Sequence, residues 1–244
     1  MIAGDARGRA AWSGVLLLAA LGSSASTGCG SEEASASDDR RLRARVVDSE
    51  SSAPIAGALV SIENGGLYLG NPDSSRGNRH YVIGGRTGAD GRFDVPVPVA
   101  RLGLHVFTND YLYAPWLIEP DGNLGVTILQ KRRDAVLPKP IVTDLRAEPA
   151  SAGPGETVRL TANVTAATPD DPLSDETLAI EPTRFWTAAL DPPSPGVQGV
   201  GYPDGEYTLE LQAPDQPGTY TYHVVTTSEG CVTSDALSVM VEVR

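Results

Sequence analysis

Arg41-Leu-Arg-Ala-Arg-Val46 sets a cation against an aliphatic residue at every step. A period of two marks a strand with one face in a core and one in water, because successive side chains leave a pleated backbone on opposite sides. The same alternation recurs downstream. Phe93, Val95, Val97 and Val99 alternate with Arg92, Asp94, Pro96 and Pro98, and Leu102, Leu104 and Val106 with Gly103, His105 and Phe107. Each run reads as a half-buried strand of an antiparallel sheet. Pro96 and Pro98 cannot donate to a ladder, which predicts an edge position for the 92–99 strand, and Asp90-Gly91 supplies the turn before it.

Beyond the stiff junction Pro138-Lys139-Pro140 the pattern restarts. Val158, Leu160, Ala162 and Val164, then Tyr207, Leu209, Leu211 and Ala213, then Leu237, Val239, Val241 and Val243 form apolar faces opposite polar ones. Turn residues separate the runs, 19 prolines are scattered along the chain, and no 3.6-residue period is sustained. The fold class this implies is all-β, with two tandem antiparallel β-sandwiches, residues 41–137 and 138–244.

The N-terminal stretch has a different character. Arg7 and Arg9 precede the apolar run Ala10 to Leu21, followed by small residues from Gly22 to Gly28 and then Cys29. This is the layout of an export signal, with an apolar run too short for a permanent membrane span. Ser26-Thr27-Gly28-Cys29 resembles the lipobox of a bacterial lipoprotein, although Ser26 stands where Leu is usual. The resemblance implies removal of residues 1–28 and acylation of Cys29. The alternative is plain secretion after cleavage near Ala25 to Thr27. Residues 29–40 then form an acidic, Ser-rich tether spanning roughly 18 Å as a flexible coil. Cys29 and Cys231 are the two cysteines. A lipidated Cys29 leaves Cys231 without it as a partner, whereas a secreted chain could join the pair. The expected location is the cell envelope, as an outer-membrane lipoprotein facing the periplasm or the surface, or the secreted fraction if Cys29 carries no lipid.

A net charge of -12 disfavours phosphate backbones, so nucleic acid is not an expected partner. The sequence has no G-x-S-x-G, H-E-x-x-H, phosphate-binding glycine loop or C-x-x-C, which argues against an enzyme and implies no cofactor.

Two family resemblances can be placed on motifs. Residues 42–136 resemble a carboxypeptidase regulatory-like domain, the transthyretin-like sandwich. The similarity rests on a strand ending at Val47-Asp48, on Pro54-Ile-Ala-Gly-Ala-Leu-Val60, on Thr87-Gly-Ala-Asp-Gly-Arg-Phe93 and on a strand closing near Tyr111; a longer insertion, Glu63 to Tyr81, departs from the family. It implies a non-catalytic accessory sandwich. Residues 141–243 resemble an immunoglobulin-like module of bacterial surface proteins, through Pro154-Gly-Glu-Thr-Val158, Ala213-Pro214 and Pro217-Gly-Thr-Tyr-Thr-Tyr222. That resemblance implies a tyrosine corner at Tyr220; the inter-sheet disulfide of antibody domains is missing, since Cys231 is alone in this half.

Four groups of residues are candidate sites. Tyr111, Tyr113 and Trp116, in the segment YLYAPW, could stack on a glycan or anchor a protein partner if the loop is exposed, or could cap the open end of the first sandwich. Asp170, Asp171, Asp175 and Glu176 crowd one loop with the hard oxygens that calcium requires, or form a solvated acidic loop. Intradiol dioxygenases use a related sandwich and hold iron with two Tyr and two His; Tyr81, Tyr111, Tyr113, His80 and His105 are the residue types on offer, without that family's closely spaced His pair. Arg76, Arg79 and Arg86 could form a local cationic patch or a solvated loop. Cys231, with Glu229 and Asp235 close in sequence, is expected to have a raised thiol pKa and to be a small buried residue or a partner of Cys29. The resulting expectation is a lipid-anchored binding or scaffolding module for an envelope protein or glycan, with a metal-dependent dioxygenase as the alternative.

Overall fold

The computed structural model describes residues 41–64, 81–96, 102–113, 116–118, 125–131, 137–174, 177–196 and 200–244. The signal segment, Cys29, the tether, Arg76, Arg79, His80, Asp175 and Glu176 lie outside them. Asp38–Arg244 is one compact unit, and its described residues are all-β.

The first sandwich comprises β1 (Arg41–Asp48), β2 (Leu59–Asn64), β3 (Tyr81–Arg86), β4 (Arg92–Pro96), β5 (Leu102–Phe107), β6 (Trp116–Ile118) and β7 (Gly125–Gln130). They form a sheet ordered β4-β1-β7 and a facing sheet ordered β3-β2-β5-β6. β1 follows the sequence pattern: Leu42, Ala44 and Val46 are buried while Arg43 and Arg45 are exposed. Across the β1–β4 ladder, Arg41 and Arg43 both reach Asp94, at 2.6 and 3.3 Å. β4, which carries Pro96, is an edge strand, as a proline in the ladder requires; Pro98 lies outside the described residues. β7 pairs parallel to β1, unlike the antiparallel expectation. It enters beside β1 after the chain has crossed the facing sheet through β5 and β6, so no hairpin dictates its direction.

Hydrogen bonds explain why the segments 54–60 and 87–93 belong together. The Thr87 hydroxyl accepts from Ala58 N–H and donates to Ile55 C=O, both at 2.8 Å, while Thr87 N–H donates to Ala58 C=O at 3.0 Å. Gly91 turns at φ +75°, where a Cβ would lie 2.5 Å from Val46 O, so the turn admits glycine alone at that place. Asp90 accepts from Arg92 N–H at 3.1 Å and closes the turn.

The second sandwich comprises β8 (Ile141–Glu148), β9 (Ser151–Ala152), β10 (Thr157–Thr165), β11 (Leu178–Glu181), β12 (Trp186–Ala189), β13 (Gly205–Gln212), β14 (Gly218–Val225) and β15 (Leu237–Val243). Its sheets run β13-β10-β8 and β12-β11-β14-β15-β9. The leading strand serves both sheets in this immunoglobulin-like arrangement, β8 antiparallel to β10 and β9 parallel to β15. Val158, Leu160, Ala162 and Val164 of β10 face Tyr222, Val224 and Val241 in its core. Tyr220 Oη donates to Gln216 C=O at 2.8 Å and forms the expected corner.

A third apolar cluster joins the halves. Leu59, Phe107 and Tyr113 pack with Leu178, Ile180 and Val225. β2 and β5 send Val60, Ile62, Leu104 and Val106 inward to the first core and the residues of opposite parity to this one. The sheets therefore stack in the order β4-β1-β7, β3-β2-β5-β6, β12-β11-β14-β15-β9, β13-β10-β8. This corrects the half-buried reading of 102–107: Gly103, His105 and Phe107 are as buried as their neighbours, because the second sandwich covers the face expected to be wet. Phe185, at the tip of the β11–β12 hairpin, extends the contact by packing against the first core.

Candidate functional site

Where the third core ends, the two sandwiches leave a cleft of about 300 Å³. Its apolar lining includes Ile55, Leu59, Phe107 and Val225; its polar lining includes Arg86, Asn109, Asp110 and Tyr111 from the first sandwich and Thr233 and Ser234 from the second. Arg86 is placed by the end of β3. Asn109 and Asp110 occupy the turn that follows β5, and Thr233 and Ser234 lie between β14 and β15.

The aromatic wall is fixed in place. Tyr111 Oη donates to Asp48 Oδ2 at 3.0 Å. Asp48, 1% exposed at the end of β1, also accepts from Glu50 N–H and Ser51 N–H at 3.0 and 2.8 Å. A carboxylate tied to its own turn thus orients a half-buried ring in the cleft wall.

Arg86 Nη1 donates to Gly57 C=O at 3.3 Å and Nη2 to His223 Nε2 at 3.0 Å. An arginine can only donate, and Nη2 lies 3.0 Å from Nε2 and 3.4 Å from Nδ1; the tautomer with its proton on Nδ1 satisfies both neighbours, Nε2 accepting from Arg86 and Nδ1 donating to Ser238 Oγ at 2.7 Å. Burial, and then the Arg86 charge, hold the His223 pKa below the usual histidine value. His223 is accordingly a neutral support for Arg86.

The sequence candidates separate in the structure. Tyr111 lines the cleft. Tyr113 does not offer its ring to solvent: it is 8% exposed, its N–H donates to Cys231 C=O at 2.7 Å, and its hydroxyl meets His105 Nδ1 at 2.5 Å. Its ring stacks on Phe107 and His105 at centroid distances of 5.3 and 5.8 Å. The exposed-loop expectation fails at Tyr113 because the second sandwich closes over it. Trp116 pairs with Leu104 in the β5–β6 ladder, and its side chain lies outside the described residues.

The calcium candidates are divided as well. Asp170 is exposed, while Asp171 Oδ1 is engaged by Gly230 N–H at 2.7 Å. Among the described residues no three His, Cys, Asp or Glu side chains come together to hold a metal. Of the dioxygenase set, His105 and Tyr113 do meet, but inside the apolar interface. Tyr111 turns away to Asp48, and Tyr81 belongs to β3, its side chain outside the described residues. Cys231 is half-buried, forms no disulfide among the described residues, and has its thiol pKa raised by burial and then by Asp171. Asn109, Asp110, Thr233 and Ser234 went unnoticed in the sequence. The Thr-Asn-Asp turn chemistry after β5 was the available signal.

No protein-family model and no curated protein matches the chain. Solved structures do. One is a candidate carbohydrate-binding protein from Bacteroides uniformis, at 12% identity and a TM-score of 0.31, with 84% of this chain and 99% of that one covered. Another is a DUF3823 family protein from Parabacteroides merdae, at 12% identity and a TM-score of 0.27, covering 84% and 98%. A third comprises fibronectin(III)-like modules of CbhA from Clostridium thermocellum, at 14% identity and a TM-score of 0.31, covering 83% and 90%.

Proposed function

We propose that this chain is a non-catalytic binding module of the cell envelope, held to a membrane by lipid on Cys29, which presents the cleft between its sandwiches to a glycan. On this reading residues 42–136 act as a carboxypeptidase regulatory-like sandwich and the second sandwich braces them. The observation that carries it is the wall formed by Tyr111, locked by Asp48, beside Asn109, Asp110 and Arg86 in one cleft. An aromatic face and planar hydrogen-bonding side chains are what a sugar ring requires, since its C–H face is apolar and its rim carries hydroxyls. A cleft of about 300 Å³ is at the small end of ligand sites, which suits one or two sugar rings better than the face of a folded protein.

Binding of the full chain to immobilised glycans tests the proposal. Tyr111→Ala should weaken capture on the order of 10-fold or more, and Tyr111→Phe, which keeps the ring, should weaken it less. Absence of glycan capture, or capture indifferent to Tyr111→Ala, removes the glycan reading. For the anchor, the intact mass of the membrane-fraction protein should correspond to a chain starting at Cys29 plus acyl groups; an unmodified mass in the soluble exported fraction removes the lipid.

A further inference from the structure

Among the described residues lining the cleft there is one cation, Arg86, and one anion, Asp110. Arg86 differs from most of the protein's other described cations. Arg41 and Arg43 share Asp94, Arg92 meets Asp90, Lys139 meets Asp235, Arg159 meets Glu210 and Arg184 meets Glu181. Arg86 is exposed and contacts two neutral acceptors, Gly57 C=O and His223 Nε2. Arg86 thus forms no direct ion pair with a carboxylate among the described residues, in a chain whose net charge of -12 supplies acids in excess. A guanidinium has five N–H donors, so these two contacts leave enough for a two-point grip on a carboxylate.

We infer that the cleft selects a saccharide bearing a carboxylate, with Arg86 as the specificity-determining residue that receives it; the inference rests on the glycan reading above. Gly57 and His223 hold the guanidinium at the cleft wall without neutralising it, so its full charge meets the ligand. Asp110 and Asn109 take ring hydroxyls, Asp110 as acceptor and Asn109 as either partner. Asp110 also disfavours a second negative charge close by, which makes a mono-acid the better fit. From the opposite sandwich, the buried Thr233 hydroxyl has no hydrogen-bond partner among the described residues, whereas Ser234 Oγ already accepts from Thr226 N–H at 3.0 Å.

Calorimetric titration of the full chain with sodium D-glucuronate, D-glucose and L-alanine tests this. Glucuronate should bind on the order of 10-fold tighter than glucose. Arg86→Gln should abolish that preference by weakening glucuronate far more than glucose, and Arg86→Lys, which keeps the charge but loses the planar fork, should retain only part of it. Raising salt from roughly 50 to 500 mM on the unmodified chain should weaken glucuronate and spare glucose, a readout independent of whether the variants fold. Equal binding of the two sugars overturns the acid preference and leaves the glycan reading standing. Binding of alanine in preference to glucuronate assigns the cleft to a zwitterion and overturns both readings. Binding of none of the three probes also overturns both.

Discussion

Gly84 tests the stacking of the two inner sheets at its tightest point. A Cβ on Gly84 would lie 2.6 Å from the Trp186 carbonyl oxygen, 2.8 Å from Ile180 Cγ2 and 2.8 Å from Thr187 Oγ1. All three belong to β11 and β12, and the nearest is backbone, which cannot rotate aside. Gly84 lies outside the left-handed region, so alanine there has no conformational objection, and the substitution reads packing alone. To restore ordinary contact the β11–β12 hairpin must retreat by roughly 0.5–1 Å, loosening Ile180 and its neighbours in the shared core. Overpacking of this kind costs about 1–3 kcal/mol. For a folded unit of this size each kcal/mol lowers Tm by about 2–4 °C, so Gly84→Ala should melt roughly 2–12 °C below the unmodified protein in scanning calorimetry. Gly88→Ala is the control: its Cβ would meet the end of the Asp90 side chain at 3.3 Å and the Arg92 carbonyl oxygen at an ordinary 3.7 Å, and should change Tm little. A Gly84→Ala melting curve superimposable on the original, or an equal loss in Gly88→Ala, would refute the close approach of β3 to the second sandwich.

Three further outcomes are expected. Thr87→Val keeps the shape of the side chain but orphans Ala58 N–H and Ile55 C=O, at about 1–3 kcal/mol for each buried group; urea unfolding should show a lower midpoint with an unchanged slope, and an unchanged midpoint counts against the bridge. Tyr220→Phe removes the corner bond, which is exposed, and should cost about 0.5–1.5 kcal/mol in the same assay; a neutral result means the corner is decorative. His223 has its folded pKa below its unfolded one, so its contribution is fully present above about pH 6.5 and is lost as pH falls through the folded value. The Tm advantage of the unmodified protein over His223→Gln should therefore shrink between about pH 7 and 5; an advantage that grows on acidification reverses the assignment of a neutral ring.

The elements legible in the sequence are those whose partners lie on the same face or a few residues away. The Arg/aliphatic alternation of β1, the edge position of β4 read from its prolines, the Asp90-Gly91 turn and the Tyr220 corner all reflect local rules of backbone and pleat. The double burial of β5 was not legible, because a two-residue period reports one wet face unless a distant segment covers it. Phe107 in the supposedly outer parity and the buried His105 were the only traces. The parallel pairs β1–β7 and β9–β15 escaped for the same reason, since direction depends on where the chain crosses between sheets. At the site, Tyr111 was legible as an aromatic beside a turn, but its partner Asp48 is 63 residues away and Ser234 farther still. The separation of Tyr111 from Tyr113, one to the cleft and one to the interface, was not legible either, because residues two apart in an extended segment would share a face and the distant partners Asp48 and Cys231 set them apart.

The shared cluster of Leu59, Phe107, Tyr113, Leu178, Ile180 and Val225 bears on how freely such a chain can be cut and recombined. A fragment ending near Pro138 would carry its own inner core intact and yet turn Leu59 and the rings of Phe107 and Tyr113 toward water, an invitation to self-association. Grafting either half onto an unrelated neighbour would require that neighbour to offer a matching apolar sheet face. The two sandwiches are thus tied to each other as a pair of heirs to one inheritance, and substitutions at Phe107 or Ile180 should be tolerated only when the opposite side changes to suit.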